Sequence, residues 1–283
     1  MNNFFKSVSI GTAWLWVVLC AAFPLGLTFL ISFFFQDQHL GNINFVFTIN
    51  NYLSLLNHAY VMIFIRSIGL ALSCTIICLV IAYPFAFIIS RSDDRYRSLL
   101  LLLVMIPFWT SSLIRTYAIM AVLKAKGILN SILLALGIIN QPMQLLYSYI
   151  AVLVGCVYDL LPFMILPLYA NLEKLDYEYV AAAKDLGADW FRVFTKIVIP
   201  LTKPGIIAGC LLVFLPAMTM FYIPVILGGA KDFLVGNLIE YQFLTANNWP
   251  LGTAISVVVT LLMSAFVVVY WRVSKASEFK EII

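Results

Sequence analysis

Three charged side chains sit inside long apolar runs: Arg66, Arg115 and Asp159. An ionised group is costly in hydrocarbon, so each is a candidate for a polar path, an ion relay or an internal pair. Arg66 falls near one end of its run, where a long side chain can snorkel to water. Asp159 is different. It follows Tyr158 and precedes Pro162 and Pro167, and a proline frees backbone carbonyls within a helix. An anionic, kinked position facing the interior of a helix bundle suits a cationic solute. Glu240 is a second candidate for contact with a cation. Arg115 belongs to Pro107–Tyr117, PFWTSSLIRTY, which places Trp109, hydroxyl residues and an arginine in one apolar run. Small hydroxyl residues either line a polar path or let helices approach closely. A second run, Phe214–Pro224 (FLPAMTMFYIP), carries two prolines with Thr219 and Tyr222. Helices interrupted at mid-membrane often mark a translocation route.

The bland alternative for Asp159 is a pair with Arg115. Counted along unbroken helices at about 1.5 Å per residue, in a core about 30 Å thick, their backbones differ in depth by on the order of 14 Å. Direct pairing then needs extended side chains and tilted helices. An internal pair, a contact with solute and a place in a water-filled cavity all remain open.

Enzyme chemistry finds no support. The chain has no Gly-x-x-x-x-Gly-Lys-Ser/Thr phosphate cradle, and its Gly-Gly-Ala-Lys run, Gly228–Lys231, falls between apolar segments. No His-Glu-x-x-His occurs, and both histidines, His39 and His58, fall in one polar stretch. Cys20, Cys74, Cys78, Cys156 and Cys210 all lie in apolar runs with no metal-type spacing, as small hydrophobic fillers do. No cofactor is expected in this chain.

The elements that must position these residues are membrane spans. Of 283 residues, 63% are hydrophobic and 11% charged, and the mean hydropathy is +1.02. A soluble fold of this size would be left with a largely apolar surface. The net charge of +4 does not suggest nucleic acid. A span needs about 20 apolar residues, and six runs qualify: Thr12–Phe35, Val61–Ile89, Leu99–Leu123, Leu146–Tyr169, Pro204–Leu227 and Leu251–Trp271. The expectation is a single all-α transmembrane domain over residues 1–283. With both termini cytoplasmic, twelve Lys and Arg fall on the inner side, from Lys6 to Lys280, against Lys124, Lys126 and Lys231 outside. That asymmetry obeys the positive-inside rule. Of the outer segments, Gln36–Tyr60 includes a short surface helix within Phe47–Leu56. Residues 127–139 are too short to span, and Gly228–Pro250 is the third. None can house a solute receptor.

A polar stretch between the fourth and fifth spans, Tyr177–Gly205, has helical patterning of its own. Asp176 can cap a first short helix carrying Val180, Ala183 and Leu186 on one face. Gly187 falls where a left-handed turn ends it. Asp189 can cap a second helix whose Trp190, Val193, Phe194 and Ile197 form an apolar stripe. Arg192 and Lys196 share another face, and Pro200 and Pro204 close the unit. Such a wedge is shaped to be gripped by another protein.

The small residues Ala181, Ala182 and Ala183, then Gly187, then Ile197, Ile199 and Pro200, resemble the cytoplasmic "EAA" loop of ABC-importer permeases. In this chain the loop falls at residues 170–203. The family's glutamate position is held by Ala181, with Glu178 about one turn earlier. The resemblance implies a coupling helix that docks on an ATPase subunit, which holds the ATP and Mg. PFWTSSLIRTYA, YDLLPFMILPLY, GIIAGCLLVFLPAM and NLIEYQFLTANNWPLGTAIS narrow the likeness to spermidine/putrescine importer permeases of the PotB type. It runs from about Phe47 to Trp271. It implies a bacterial inner-membrane subunit that pairs with a second, PotC-like permease, an ATPase homodimer and a periplasmic polyamine-binding protein. Asp159, Tyr158, Arg115, Trp109, Thr219, Tyr222 and Glu240 are the expected substrate-pathway residues, read from the side chains themselves, because the resemblance supplies no motif residue at Asp159 or Glu240.

Overall fold

Hydrocarbon offers a backbone no partner but itself, so uncharged apolar runs fold as helices that close their own hydrogen bonds. The computed structural model of this chain describes residues 11–12, 14–36, 43–176, 178–229 and 233–278. Lys6, His39, Tyr177, Lys231 and Lys280, named above, lie outside the described residues. Among those described, five helices are long and apolar enough to cross a membrane, and a bent pair makes a sixth.

The chain divides into two compact units. One comprises the described part of Met1–Met62 together with Leu238–Phe266. Its first helix, α1 (Trp14–Ile31), buries none of its residues, and its tryptophans and leucines point outward, as on a helix surrounded by lipid. Two short strands follow, which the helical reading of the sequence did not foresee. β1 (Phe34–Gln36) pairs antiparallel with β2 (Ile43–Phe47), Phe34 opposite Phe47, with an irregularity after Phe34. α2 (Asn50–Leu55) lies within the expected surface helix. Asn51 ties it to the hairpin by donating to the carbonyls of Ser32 and Phe34, both at 2.9 Å.

The other unit, Ile63–Asn237 with Val267–Ile283, holds the candidate sites. Its elements are α3 (His58–Arg91, which begins in the first unit), α4 (Asp94–Met105), α5 (Ser112–Leu123), α6 (Ile128–Ala135), α7 (Tyr149–Glu173), α8 (Glu178–Asp185), α9 (Trp190–Leu201), α10 (Lys203–Thr219) and α11 (Tyr222–Gly228). Beyond them α12 (Val235–Glu240) and α13 (Trp249–Glu278) cross from one unit to the other. The expected third span, Leu99–Leu123, is broken. A 3-10 turn runs from Ile106 to Trp109 and Thr110 and Ser111 are extended before α5 begins. Pro107 is the cause, since its ring cannot continue the preceding helix. The expected fifth span is likewise interrupted at Met220 and Phe221.

The centre of this unit is α7 packed on α10. A methyl group built on Gly205 would lie 2.7 Å from Asn171 Cβ, and one on Gly209 would lie 2.6 Å from Met164 Sδ. Glycines four apart let two helix backbones meet without a hydrophobic drive between them. Met164, Leu168 and Leu172 of α7 and Val213 and Ala217 of α10 are then fully buried. Gly209→Leu is therefore expected to overpack this contact and cost roughly 1–3 kcal/mol, seen as a lower melting temperature of the purified protein. Gly69→Ala adds a carbon that meets nothing within 4 Å and should leave that temperature unchanged or slightly raised.

Candidate functional sites: a charge cluster at broken helices and a bent elbow

The breaks in the third and fifth spans meet beside α7. α5 starts at Ser112 and α11 at Tyr222, and the Ser112 hydroxyl shares a short hydrogen bond with the Tyr222 hydroxyl. Tyr222 also donates to Asp159 Oδ2 of α7 at 3.1 Å. Arg115, one turn into α5, places Nη2 2.7 Å from Asp159 Oδ1, with each side chain 9% exposed. The contact is an ion pair by distance but lacks hydrogen-bond geometry at Oδ1. Nε and Nη1 of Arg115 are buried and have no hydrogen-bond partner among the described residues. The guanidinium also lies 5.9 Å from the Tyr158 ring centre.

Arg115 and Asp159 thus pair directly, and the depth difference of about 14 Å counted on unbroken helices is corrected. That count assumed a continuous third span. The non-helical residues between α4 and α5 change both the rise and the direction of the chain. Of the expected pathway residues, Asp159, Arg115, Tyr158 and Tyr222 come together, and Ser112 joins them. Trp109 is 76% exposed. Thr219 spends its hydroxyl on the carbonyls of Leu215 and Pro216. Glu240 belongs to the first unit and forms no ion pair with a described residue.

Irregular backbone at membrane depth survives only where protein covers it and satisfies its polar groups. At Met220–Phe221 that cover is the segment Leu234–Asn237. Asn237 Nδ2 donates to the Phe221 carbonyl at 2.8 Å while its Oδ1 accepts from Leu234 N at 3.3 Å. Val235 N donates to Ser67 Oγ at 2.9 Å, and Gly236 packs on the Thr219 carbonyl so closely that a Cβ would collide with it. Sequence reasoning missed Asn237. Its only signal was an amide in a stretch taken for an outer loop.

The elbow follows its sequence signals closely, with two corrections. Asp176 Oδ1 accepts from Glu178 N at the start of α8. Gly187 has φ +82°, and the bonds Gly187 N to Lys184 O and Ala188 N to Ala183 O form the Schellman closure. Asp189 Oδ1 caps α9 by accepting from Arg192 N at 3.0 Å. Val180 is buried and Ala183 half-buried, but Leu186 is 89% exposed, because it lies past the last helical residue, where the chain turns. The stripe expected on α9 also shifts. A π turn over Phe194–Val198 widens the repeat, so that Val193 and Val198, five apart, are the fully buried pair. Ile197, Ile199 and Pro200 are half-buried, while Ala181, Ala182 and Gly187 are exposed.

Aromatic rings fasten the elbow to the end of α3. Tyr83 meets Phe194 edge-on at 5.3 Å, and Phe87 meets Trp190 at 5.8 Å. The Tyr83 hydroxyl bonds Thr202 Oγ1 at 2.8 Å, at the 67° bend between α9 and α10. Tyr83 and Phe87 were invisible as site residues because aromatics in an apolar run read as ordinary span residues. Outward, Tyr179, Leu186 and Phe191 leave an uncovered apolar surface beside exposed Arg192 and Lys196.

A multi-pass helical chain with a bent elbow between its fourth and fifth spans has the architecture of a permease subunit. Residues 82–279 match the family described as binding-protein-dependent transport system inner membrane component, and the chain belongs to that family. It is 47% identical over 275 residues to the spermidine/putrescine transport system permease protein PotB of Haemophilus influenzae, covering 97% of this chain and 96% of that one. With the protein of the same name from Escherichia coli K12 it shares 46% over 260 residues, covering 92% and 94%. Two crystal structures of bacterial alginate ABC transporters superpose with TM-scores of 0.72 and 0.74. They cover 95% and 97% of this chain and 93% and 96% of theirs, at 14% and 15% identity; that likeness concerns the fold alone. The chain is an inner-membrane transport subunit rather than an enzyme.

Asn237→Leu removes both bonds that the amide makes around the break. It should cost about 1–3 kcal/mol for the polar groups left buried. The check is a fall in melting temperature larger than that of Asn57→Leu, an exposed position.

Proposed function

We propose that this chain forms half of the translocation pathway of an ATP-driven polyamine importer. Near full-length likeness to the permeases of spermidine/putrescine systems carries the reading. The buried carboxylate of Asp159, set among tyrosines where two helices break, supports it as a contact for the ammonium groups of a polyamine. Tyr158, Tyr222 and Arg115 stand around the same carboxylate, and we assign Trp109, Thr219 and Glu240 to the route as well. The other half is a second permease of the PotC kind, and a periplasmic binding protein delivers the solute.

In this reading the elbow is the coupling element. A separate ATPase pair, which holds ATP and Mg, grips Ala181–Ala183, Gly187 and the exposed Leu186 and Phe191. Nucleotide-driven closure pushes α8 and α9 as a rigid piece. The rings around Tyr83 and the α7–α10 contact pass that motion to the broken helices, which shift between two packed arrangements. Termini and elbow face the cytoplasm in this reading, which the distribution of Lys and Arg supports.

Reconstituted with receptor, partner permease and ATPase, the complex should take up labelled spermidine only with ATP, and unlabelled putrescine should compete. Competition by an oxyanion or metal instead would reject the substrate class. Gly187→Val should keep membrane insertion but lose most ATP-dependent uptake, since a β-branched residue at this φ costs of order 1–2 kcal/mol and redirects the turn. Gly187→Asn, which tolerates the left-handed region, should retain most of it. A cysteine replacing Asp189 should resist an impermeant thiol reagent applied outside intact cells.

A further inference from the structure

A buried guanidinium beside a buried carboxylate normally fills its remaining N–H groups with other acceptors, because an orphaned donor forfeits its hydration. Arg115 does not. One nitrogen touches Asp159 Oδ1, while Nε and Nη1 are buried without hydrogen-bond partners among the described residues. The contact itself misses hydrogen-bond geometry. Asp159 is only partly better served: Oδ1 also lacks a hydrogen-bond partner among the described residues, but Tyr222 donates to Oδ2, and α5 begins near it, presenting the positive end of a helix. The carboxylate therefore keeps one hydrogen bond, while the guanidinium has none among the described residues. Of the two charges, Arg115 is the one this site can release.

We infer that Arg115 is a resident stand-in for the transported cation, occupying Asp159 while the pathway is empty and displaced when a substrate ammonium arrives. The inference rests on the polyamine reading above and adds to it a specificity element. An arriving amine replaces one cation by another at the same carboxylate, so the site never leaves Asp159 bare in a low-dielectric interior. A neutral solute cannot make that exchange. The released guanidinium, on a side chain of three methylenes and four rotatable bonds, can swing to acceptors for the nitrogens now orphaned. Tyr158, whose ring lies against the guanidinium and is itself half exposed, offers a face on which either cation can rest.

The test is spermidine binding to the purified, assembled complex without receptor, alongside its melting temperature with and without spermidine. Arg115→Met removes the competitor and keeps much of the bulk. It should bind spermidine roughly tenfold or more tightly than the unmodified complex, the size of one charge-assisted contact no longer contested. Its melting temperature, lowered in buffer, should recover as spermidine is added, by more than the unmodified complex gains. Arg115→Lys should keep near-normal affinity, and Asp159→Asn should lose both binding and rescue. A structural pair gives another pattern: Arg115→Met is destabilised, spermidine does not rescue it, and affinity is unchanged or weaker. That result, or an Arg115→Met complex that fails to assemble even with spermidine, overturns the inference while ATP-dependent spermidine uptake by the unmodified complex leaves the polyamine reading standing. If the unmodified complex neither binds nor takes up spermidine, the polyamine reading is what has failed.

Discussion

Backbone amides and carbonyls must find partners inside the chain once water is gone, and this constraint shapes everything else in the molecule. It explains why the long apolar runs are helices, and why the departures from helix return their hydrogen bonds to the chain itself or to a neighbouring segment. The break at Phe221 exists because Asn237 reaches its carbonyl. The turn before α5 holds because the Thr110 amide and hydroxyl both return to the Pro107 carbonyl. Interrupting a helix in hydrocarbon is costly, so the coincidence of two interruptions at one buried aspartate is the strongest structural pointer to the transport path.

The same economy governs the elbow and the coupling role proposed for it. A flexible loop could bind an ATPase but could not transmit a displacement. Here the Schellman turn at Gly187, the cap at Asp189 and the buried Val180, Val193 and Val198 leave the elbow few ways to deform. Thr202 at the bend is pinned by its own backbone and by Tyr83. Beyond the bend, glycines bring α10 against α7, and α7 carries Asp159. A physical chain of close contacts thus runs from the exposed face of the elbow to the charged cluster within one unit.

Much of this was legible in the sequence because local rules decide it. Caps at Asp176 and Asp189, the left-handed glycine and Pro204 in the first turn of α10 depend on neighbours a few residues away, and the structure has each of them. What failed depended on distant residues or on accumulated geometry. The π turn at Phe194–Val198 slides the buried face by one position, which a fixed 3.6-residue repeat cannot anticipate. The Arg115–Asp159 pair was only one of three open readings, because a depth count along unbroken helices could not include the proline-induced break. Asn237 and Tyr83 took their roles from partners 16 and 119 positions away, and nothing local marks them.

The account stands most directly on where the solute lies in the membrane. An experimental structure of the assembled transporter, trapped with spermidine inside, decides it. The account predicts density for an ammonium group at Asp159, between the starts of α5 and α11, with the Arg115 side chain moved away. Spermidine bound elsewhere, with Arg115 and Asp159 still in contact, would contradict it.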